Sequence, residues 1–397
     1  MIKVAIMGYG VVGSGVYEIL RKNEKSITKK TGGKTLEVKY ILDLRDFPDH
    51  ENPALFTKNF DDIINDTEVS IVVEVMGGLK PAYEYSKAAL LAGKNVITSN
   101  KELVAEHGTE LMAIAKEQNV NYLFEASVGG GIPIISPLSQ CLLANEIEEI
   151  YGILNGTTNY ILTKMVKEGA DFADALSEAQ RLGYAERNPE ADVEGHDARR
   201  KIAILASLAS GKFVNWKEVP TEGITKITRQ DVAFAEKYDA VIKLVGVAKI
   251  DPEGQVYIRV SPMVIPRTNQ LADVNDVFNA ILVKGDSIGD VMFYGRGAGK
   301  LPTASAVVAD VIDAAKHIHI NKLITWKKVD NNFMIDPETV PCRYFVRATN
   351  SAVINDFSGA EDLGNENGEW FFITEEMTEK EFKNTLGDRG AFIRVLD

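Results

Sequence analysis

Cysteine is nearly missing from this sequence: 397 residues hold two, Cys141 and Cys342, far apart along the chain. That excludes a dense disulfide framework, and each thiol reads as a buried or unreactive side chain. Long apolar runs are missing too. No stretch reaches the roughly 18 residues that span a bilayer. Near the N-terminus the short run Val4–Met7 follows Lys3 and is broken by Gly8, which does not make a secretory signal. A cytoplasmic protein with no membrane partner is therefore expected. Basic charge is not in excess either: 44 Lys and Arg face 57 Asp and Glu, and the net charge of −13 is spread along the chain. This argues against a nucleic-acid partner, which would require a basic stripe. What is present, 45% hydrophobic and 25% charged residues, is the balance of a soluble globular protein and favours small-molecule chemistry.

A chain of 397 residues exceeds one ordinary core, so two or three domains are expected. Over residues 1–125, apolar runs at Lys3–Met7, Leu36–Leu42, Val69–Val75, Asn95–Thr98 and Asn121–Phe124 read as strands. Amphipathic stretches at Gly13–Asn23, Pro81–Ala92 and Glu102–Gln118 read as helices between them. This alternation implies βαβ units and a doubly wound α/β fold around a parallel sheet. The glycine- and proline-rich EASVGGGIPIISP at Glu125–Pro137 then suggests a hinge or domain junction.

Residues 126–330 read as an α+β domain. It has a strand at Glu149–Leu154, a helix opened by NGTTN at Asn155–Asn159, and helices at Phe172–Leu182 and Gly195–Ser210. Two strands lie within Val241–Val264, followed by a glycine loop at Met292–Pro302. A closing helix at 303–320 is expected to pack back on the first domain. Asp330–Pro341 reads as a linker. Residues 341–397 read as a small α+β appendage with strands at Arg343–Ala348 and Glu369–Thr374, a helix at Thr378–Leu386 and a terminal strand.

The sequence Gly8-Tyr-Gly10-Val11-Val12-Gly13 directly follows the first strand and opens the first helix, the context that gives a glycine triplet meaning. The first glycine allows the tight turn, the second lets backbone approach a pyrophosphate, and the third allows helix and strand to pack closely. The helix N-terminus offers its amides to the phosphates. This is a dinucleotide-binding, Rossmann-type signature. At the end of the second strand, Asp43 suits a ribose 2′-hydroxyl and NAD, whereas Arg45 suits a 2′-phosphate and NADP. The two signals oppose each other, and the preference stays open. Ligands of such sheets bind beyond the carboxyl ends of the strands. That places Gly77 where a cofactor can approach, and Thr98, Ser99 and Lys101 beside the same crevice.

The densest constellation is LGYAERNPEADVEGHDARRK at Leu182–Lys201. Asp197 and Lys201 are four residues apart and share one helix face. An ordinary surface ion pair is the bland reading. The apolar run Ile202–Leu205 that follows argues instead for a place near the core, where a lysine oriented by a carboxylate suits proton transfer.

Six segments together resemble homoserine dehydrogenase. They are GYGVVGSGV near the N-terminus, SNKELVAEHG at Ser99–Gly108, FEASVGGGIPI at Phe124–Ile134, GILNGTTNYIL at Gly152–Leu162, the carboxylate block, and YGRGAGKLPTASAVV at Tyr294–Val308. The resemblance covers roughly residues 1 to 320. It implies reversible hydride transfer between NAD(P) and L-aspartate 4-semialdehyde, giving L-homoserine for threonine, methionine and isoleucine biosynthesis.

By the same resemblance, Lys201 donates the proton and Asp197 orients both the substrate and that lysine. Glu186 binds the substrate ammonium, helped by Asp192, and Lys101 lies between cofactor and substrate. Gly183, Glu186, Gly297 and Gly299 flank the cofactor. A sodium-type cation maps to Glu125 and the carbonyls of Val128, Gly130 and Ile132. A homodimer formed through the second domain is also implied.

The chain departs from the family pattern in two places. Leu42 stands where many members carry arginine before Asp43, which weakens an NADP preference. The C-terminal appendage resembles a shortened, degenerate ACT domain; its first strand leads to Thr349-Asn350-Ser351 without the effector-binding turn, so threonine feedback is not expected. Two other readings remain: another Rossmann-fold reductase of an amino-acid carbonyl, or a non-catalytic dinucleotide sensor. An acyl-thioester route lacks a cysteine near the motif loops, with Cys141 in an expected helix. A sensor has no reason to keep Lys101, Asp197 and Lys201.

Overall fold

The computed structural model describes residues 1–329 and 332–396. Asp330 and Asn331, within the expected linker, and Asp397 lie outside the described residues. The chain divides into two compact units. The first comprises Met1–Ala144, Ser207–Asn215 and Gly295–Asp330; the second comprises Asn145–Ala206, Trp216–Tyr294 and Asn331–Asp397.

The first unit is built on a six-stranded sheet of β1 (Ile2–Met7), β2 (Leu36–Leu42), β3 (Phe56–Thr57), β4 (Val69–Glu74), β5 (Asn95–Thr98) and β6 (Tyr122–Leu123). Its spatial order is β3-β2-β1-β4-β5-β6, and all pairings are parallel. The order reverses beside β1, which opens a crevice at the carboxyl ends of β1 and β4. Val4, Ala5 and Ile6 of β1 and Ile71, Val72 and Val73 of β4, which alternate between the two faces, are fully buried. Burial on both faces explains why these strands read as continuous apolar runs. The helix Lys300–Lys316 belongs to the same core, its Val307, Val311 and Ala314 clustering with Val16 and Leu20 of the helix Val11–Lys22. Contact between these two helices is close at Gly15, where an added Cβ would come within 2.9 Å of the Ala304 side chain.

The second unit carries a nine-stranded sheet. Its first members are β7 (Ile147–Ile153), β8 (Ala240–Ile250), β9 (Val256–Pro266), β10 (Phe278–Gly285) and β11 (Gly289–Arg296). Two-residue β12 (Pro341–Cys342) and β16 (Met377–Thr378) pair with each other apart from it, whereas β13 (Tyr344–Ala348), β14 (Glu361–Glu366), β15 (Glu369–Ile373) and β17 (Gly390–Val395) join it. The order is β11-β10-β7-β8-β9-β17-β13-β15-β14. β17 lies parallel to β9 through Arg394↔Met263 and Val395↔Val264, so the C-terminal strands continue the sheet of the unit.

That seam is also ionic. Arg259 on β9 reaches Glu379 at 2.7 Å, and Arg394 on β17 reaches Glu379 and Glu222, each at 2.8 Å. Beside it, the rings of Tyr344 and Phe382 stack 3.8 Å apart.

Several local readings change. The expected glycine loop at Met292–Pro302 shrinks to Gly297–Gly299, because β11 runs to Arg296 and the next helix starts at Lys300. In β11 the exposed Asp290, Met292, Tyr294 and Arg296 alternate with less exposed Val291 and Phe293, as a half-covered strand requires. β10 and the helix Arg229–Lys237 were not anticipated. Cys141 is exposed on a short π-helical turn, Pro137–Cys141, so of the two alternatives expected for it, buried or unreactive, burial does not hold. Cys342 is half-buried, and burial pushes its thiol pKa up. Among the described residues no helix is long and apolar enough to cross a membrane.

Candidate active site

In the first unit the glycine turn sits at the carboxyl end of β1. Gly8 has φ +99°, and a Cβ on Gly13 would overlap the Gly8 carbonyl oxygen, so both positions require glycine. Around Gly10 the opposite holds: an added Cβ meets nothing within 4 Å. The helix Val11–Lys22 begins there without a side-chain cap, with Val11 exposed and Val12 packed against the core. Uncapped amides beside open backbone are a geometry that suits an anion.

Asp43 follows β2 and takes the Tyr9 amide at 2.8 Å. Arg45 closes on the same carboxylate, Nε to Oδ1 at 2.9 Å and Nη2 to Oδ2 at 2.8 Å. These bonds to Arg45 hold the Asp43 carboxyl well below the usual carboxylate range. Gly77, after β4, is exposed with φ +79° and open space where a side chain would stand.

A residue the sequence reading missed organises this rim. Glu74, the last residue of β4, is fully buried and takes the Met76 amide at 2.8 Å and the Thr98 hydroxyl at 2.6 Å. Burial pushes its carboxyl pKa up. The Thr98 hydroxyl in turn accepts the Asn100 amide at 2.9 Å, while the Asn100 side chain caps the helix Lys101–Glu117 and binds the Gly78 carbonyl at 2.6 Å. Glu74 thus ties the Gly77 loop to the turn of Thr98, Ser99 and Lys101. Its signal in the sequence was a lone charge inside the apolar run Ile71–Met76.

Glu125 is buried beyond β6. Its Oε1 takes the amides of Ile134 and Ile135 at 2.6 and 2.8 Å, and its Oε2 takes that of Ser136 at 2.7 Å. The Glu125 amide donates to Asp310, whose carboxyl burial pushes well up. Val128, Gly130 and Ile132 are buried in the following loop. Gly130 meets the backbone of Gly297, where a side chain would collide, and Gly299 starts the helix Lys300–Lys316. Among the described residues no three His, Cys, Asp or Glu side chains form a metal-binding group.

In the second unit, β7 ends at Ile153 and the helix Gly156–Glu168 starts just after it, which makes the turn Leu154–Asn155 a hub. The Leu154 carbonyl accepts Lys201 Nζ at 2.7 Å, and Asp197 Oδ2 lies 2.8 Å from the same nitrogen. Lys201 is 8% exposed and Asp197 5%. The Asn155 carboxamide donates to Asp192 Oδ1 at 2.7 Å and to Asp197 Oδ2 at 3.0 Å.

Lys201, Asp197 and Asp192 are therefore brought together in one network, through an asparagine that the sequence reading had only placed in a helix-opening motif. Glu186 stands apart from it, exposed, its carbonyl held by Gln180 at 3.0 Å. Gly183 lies in the same exposed turn with φ +76°. Glu194 turns away, bonded to the Thr225 hydroxyl at 2.9 Å.

A glycine turn at the switch point of a parallel sheet is the mark of a dinucleotide-binding α/β domain, and the second unit adds a buried lysine–carboxylate pair on an α+β scaffold. Comparison with known proteins gives the class its member. A homoserine dehydrogenase family model matches residues 133–312, and a model of the homoserine dehydrogenase NAD-binding domain matches residues 8–125. A Synechocystis homoserine dehydrogenase is 46% identical over 320 residues, 79% of this chain and 73% of that one. The crystal structure of a homoserine dehydrogenase from Thiobacillus denitrificans aligns over 100% of this chain and 98% of its own, at 37% identity and a TM-score of 0.88. A hyperthermophilic archaeal homoserine dehydrogenase mutant in complex with NADPH aligns over 79% of this chain and 97% of its own, at 30% identity and a TM-score of 0.67. The chain belongs to the homoserine dehydrogenase family.

Proposed function

We propose that this protein interconverts L-aspartate 4-semialdehyde and L-homoserine, with Lys201 as the proton donor during reduction. The observation that carries the reading is the Lys201–Asp197 pair, buried, 2.8 Å apart and anchored to the Leu154 carbonyl. The dinucleotide, when bound, supplies the hydride to the carbonyl carbon. The carbonyl oxygen then gains negative charge and takes a proton from Lys201 Nζ. Asp197 holds that nitrogen in place. Asp192 and Glu186 balance the substrate ammonium, and Lys101 acts at the cofactor side.

The rim of the first unit suits a dinucleotide. Gly10 and Gly77 leave open backbone, and the Val11 helix start offers uncapped amides. NAD and NADP both remain candidates, because Arg45 sits on the Asp43 carboxylate. A monovalent cation at Glu125 and the carbonyls of Val128, Gly130 and Ile132 belongs to the same reading, since an oxygen-only set suits a hard ion. Glu125 already takes three backbone amides, so the carbonyls would carry most of the coordination. A homodimer associating through residues 126–330 and a cytoplasmic location complete the proposal.

The test is steady-state kinetics, following nicotinamide absorbance with L-homoserine and each dinucleotide in turn. Turnover with at least one dinucleotide is expected. A folded preparation inert with both would refute the assignment.

A further inference from the structure

Asn155 uses every part of its side chain in a different direction. Its Oδ1 accepts the Thr158 amide at 2.9 Å and caps the helix Gly156–Glu168. Its Nδ2 donates one hydrogen toward Asp192 and the other toward Asp197. The amide orientation is unambiguous, because the reversed carboxamide would aim an oxygen at two carboxylates and a nitrogen at an N–H group. Asn155 is 6% exposed, so water is a poor substitute for these bonds. The preceding residue supplies the Leu154 carbonyl that holds Lys201. One turn between β7 and its helix therefore fixes both ends of the Lys201–Asp197 pair.

We propose that Asn155 is a positioning residue for the reaction: its carboxamide sets the spacing and orientation of Asp192 and Asp197, and through Asp197 that of the Lys201 ammonium. The inference rests on the activity proposed above. Two carboxylates brought close repel unless donors lie between them, and the carboxamide donates to both without adding charge. Losing it lets Asp192 and Asp197 move apart, with separate consequences. Asp197 and Lys201 act on the reacting oxygen, so their displacement lowers kcat. Asp192 balances the substrate ammonium, so its displacement raises KM for homoserine.

Asn155→Asp is the sharpest probe. Aspartate caps a helix as well as asparagine does, so the fold keeps its anchor, but the donor becomes a third carboxylate. Asn155→Ser keeps a shorter cap without the added charge. Wild type and both variants are compared by homoserine kinetics, dinucleotide binding by fluorescence, and thermal unfolding. Asn155→Ser keeps the cap but loses both donors to the carboxylates, so its Tm should fall by roughly 5–10 °C while the enzyme stays folded. Both variants should bind dinucleotide within twofold of wild type. Their kcat/KM for homoserine should fall about 100-fold, the scale of an ångström-level misplacement. Asn155→Asp should be the worse of the two, with kcat lowered and homoserine KM raised together.

A merely structural role would instead lower the active fraction, reducing kcat in step with dinucleotide binding and leaving homoserine KM unchanged. That pattern, or wild-type kinetics in Asn155→Ser, overturns the proposal. If Asn155→Asp does not fold, Asn155→Ser decides by the same criteria. No turnover by wild type would refute the activity itself, a result separate from a wild type that works and variants that match it.

Discussion

Lys201 and Asp197 stand one helical turn apart with Nζ 2.8 Å from Oδ2, both buried. A buried pair of this kind adds little net stability, yet losing one partner strands the other's charge. Lys201→Ala should therefore do two things. It should lower kcat by about 10² to 10⁴, the usual worth of a positioned proton donor, with dinucleotide Kd unchanged. It should also destabilise the fold by up to roughly 3–5 kcal/mol, less whatever the Asn155 donor recovers. Kinetics and a urea midpoint on the same preparation separate the two effects, and a kcat near wild type would remove Lys201 from the chemistry.

The glycine turn offers a matched pair of substitutions. Gly10→Ala meets empty space, so its Tm should stay within about 2 °C of wild type, as for other surface changes. Dinucleotide affinity should nonetheless fall at least tenfold, because the methyl occupies the approach of the pyrophosphate. Gly13→Ala drives a side chain into the Gly8 carbonyl and should cost about 1–3 kcal/mol of stability as well. Gly10→Ala binding dinucleotide normally would place the phosphates elsewhere.

Arg45 lies on the Asp43 carboxylate with an exposed guanidinium. Removing it in Arg45→Ala frees the carboxylate for a ribose hydroxyl and takes away a cation that a 2′-phosphate could use. The ratio of kcat/KM for NAD to that for NADP should rise about tenfold, the worth of one charge-assisted hydrogen bond. A ratio moving toward NADP would assign discrimination to other residues.

Lys243 is a buried amine on β8, bonded to Val274 O at 2.6 Å and to Asn159 and Asn275 at 3.1 and 3.2 Å. Burial pushes its pKa down to about 7, from 10.5. Between these values the unfolded chain holds a proton that the native chain does not, so this lysine adds stability as pH rises. Its contribution is full above 10.5 and is lost as pH falls toward 7. Unfolding free energies of wild type and Lys243→Met, measured across that window, should show wild type gaining on the variant as pH rises. A difference flat in pH would mean that Lys243 titrates normally.

The parallel sheet was legible because its central strands β1, β4 and β5 are buried on both faces and separated by helices of ordinary length, whereas the two-residue, half-buried β3 was not legible. The run Ile202–Leu205 likewise pointed to a buried turn, and all four of its residues are buried. β11 was harder: GDVMFYGR carries a glycine near each end, and its alternation is visible only once a sheet covers one side. Glu74 and Asn155 were hard for a different reason. A charge at a strand end and an asparagine before a helix are ordinary in sequence. Their weight comes from partners more than 20 residues away, Thr98 for Glu74 and Asp192 and Asp197 for Asn155.

The four charges at the β9–β17 seam bear on engineering. Glu222 and Arg259 precede residue 341, and Glu379 and Arg394 follow it. A chimera spliced there from two homologues would inherit half of the lock from each parent. Unless both halves matched, the buried Arg259, Glu379 or Arg394 would meet the wrong counterpart, with Glu222 alone still reaching water. Successful exchanges of the C-terminal segment should thus be those that transplant all four positions together.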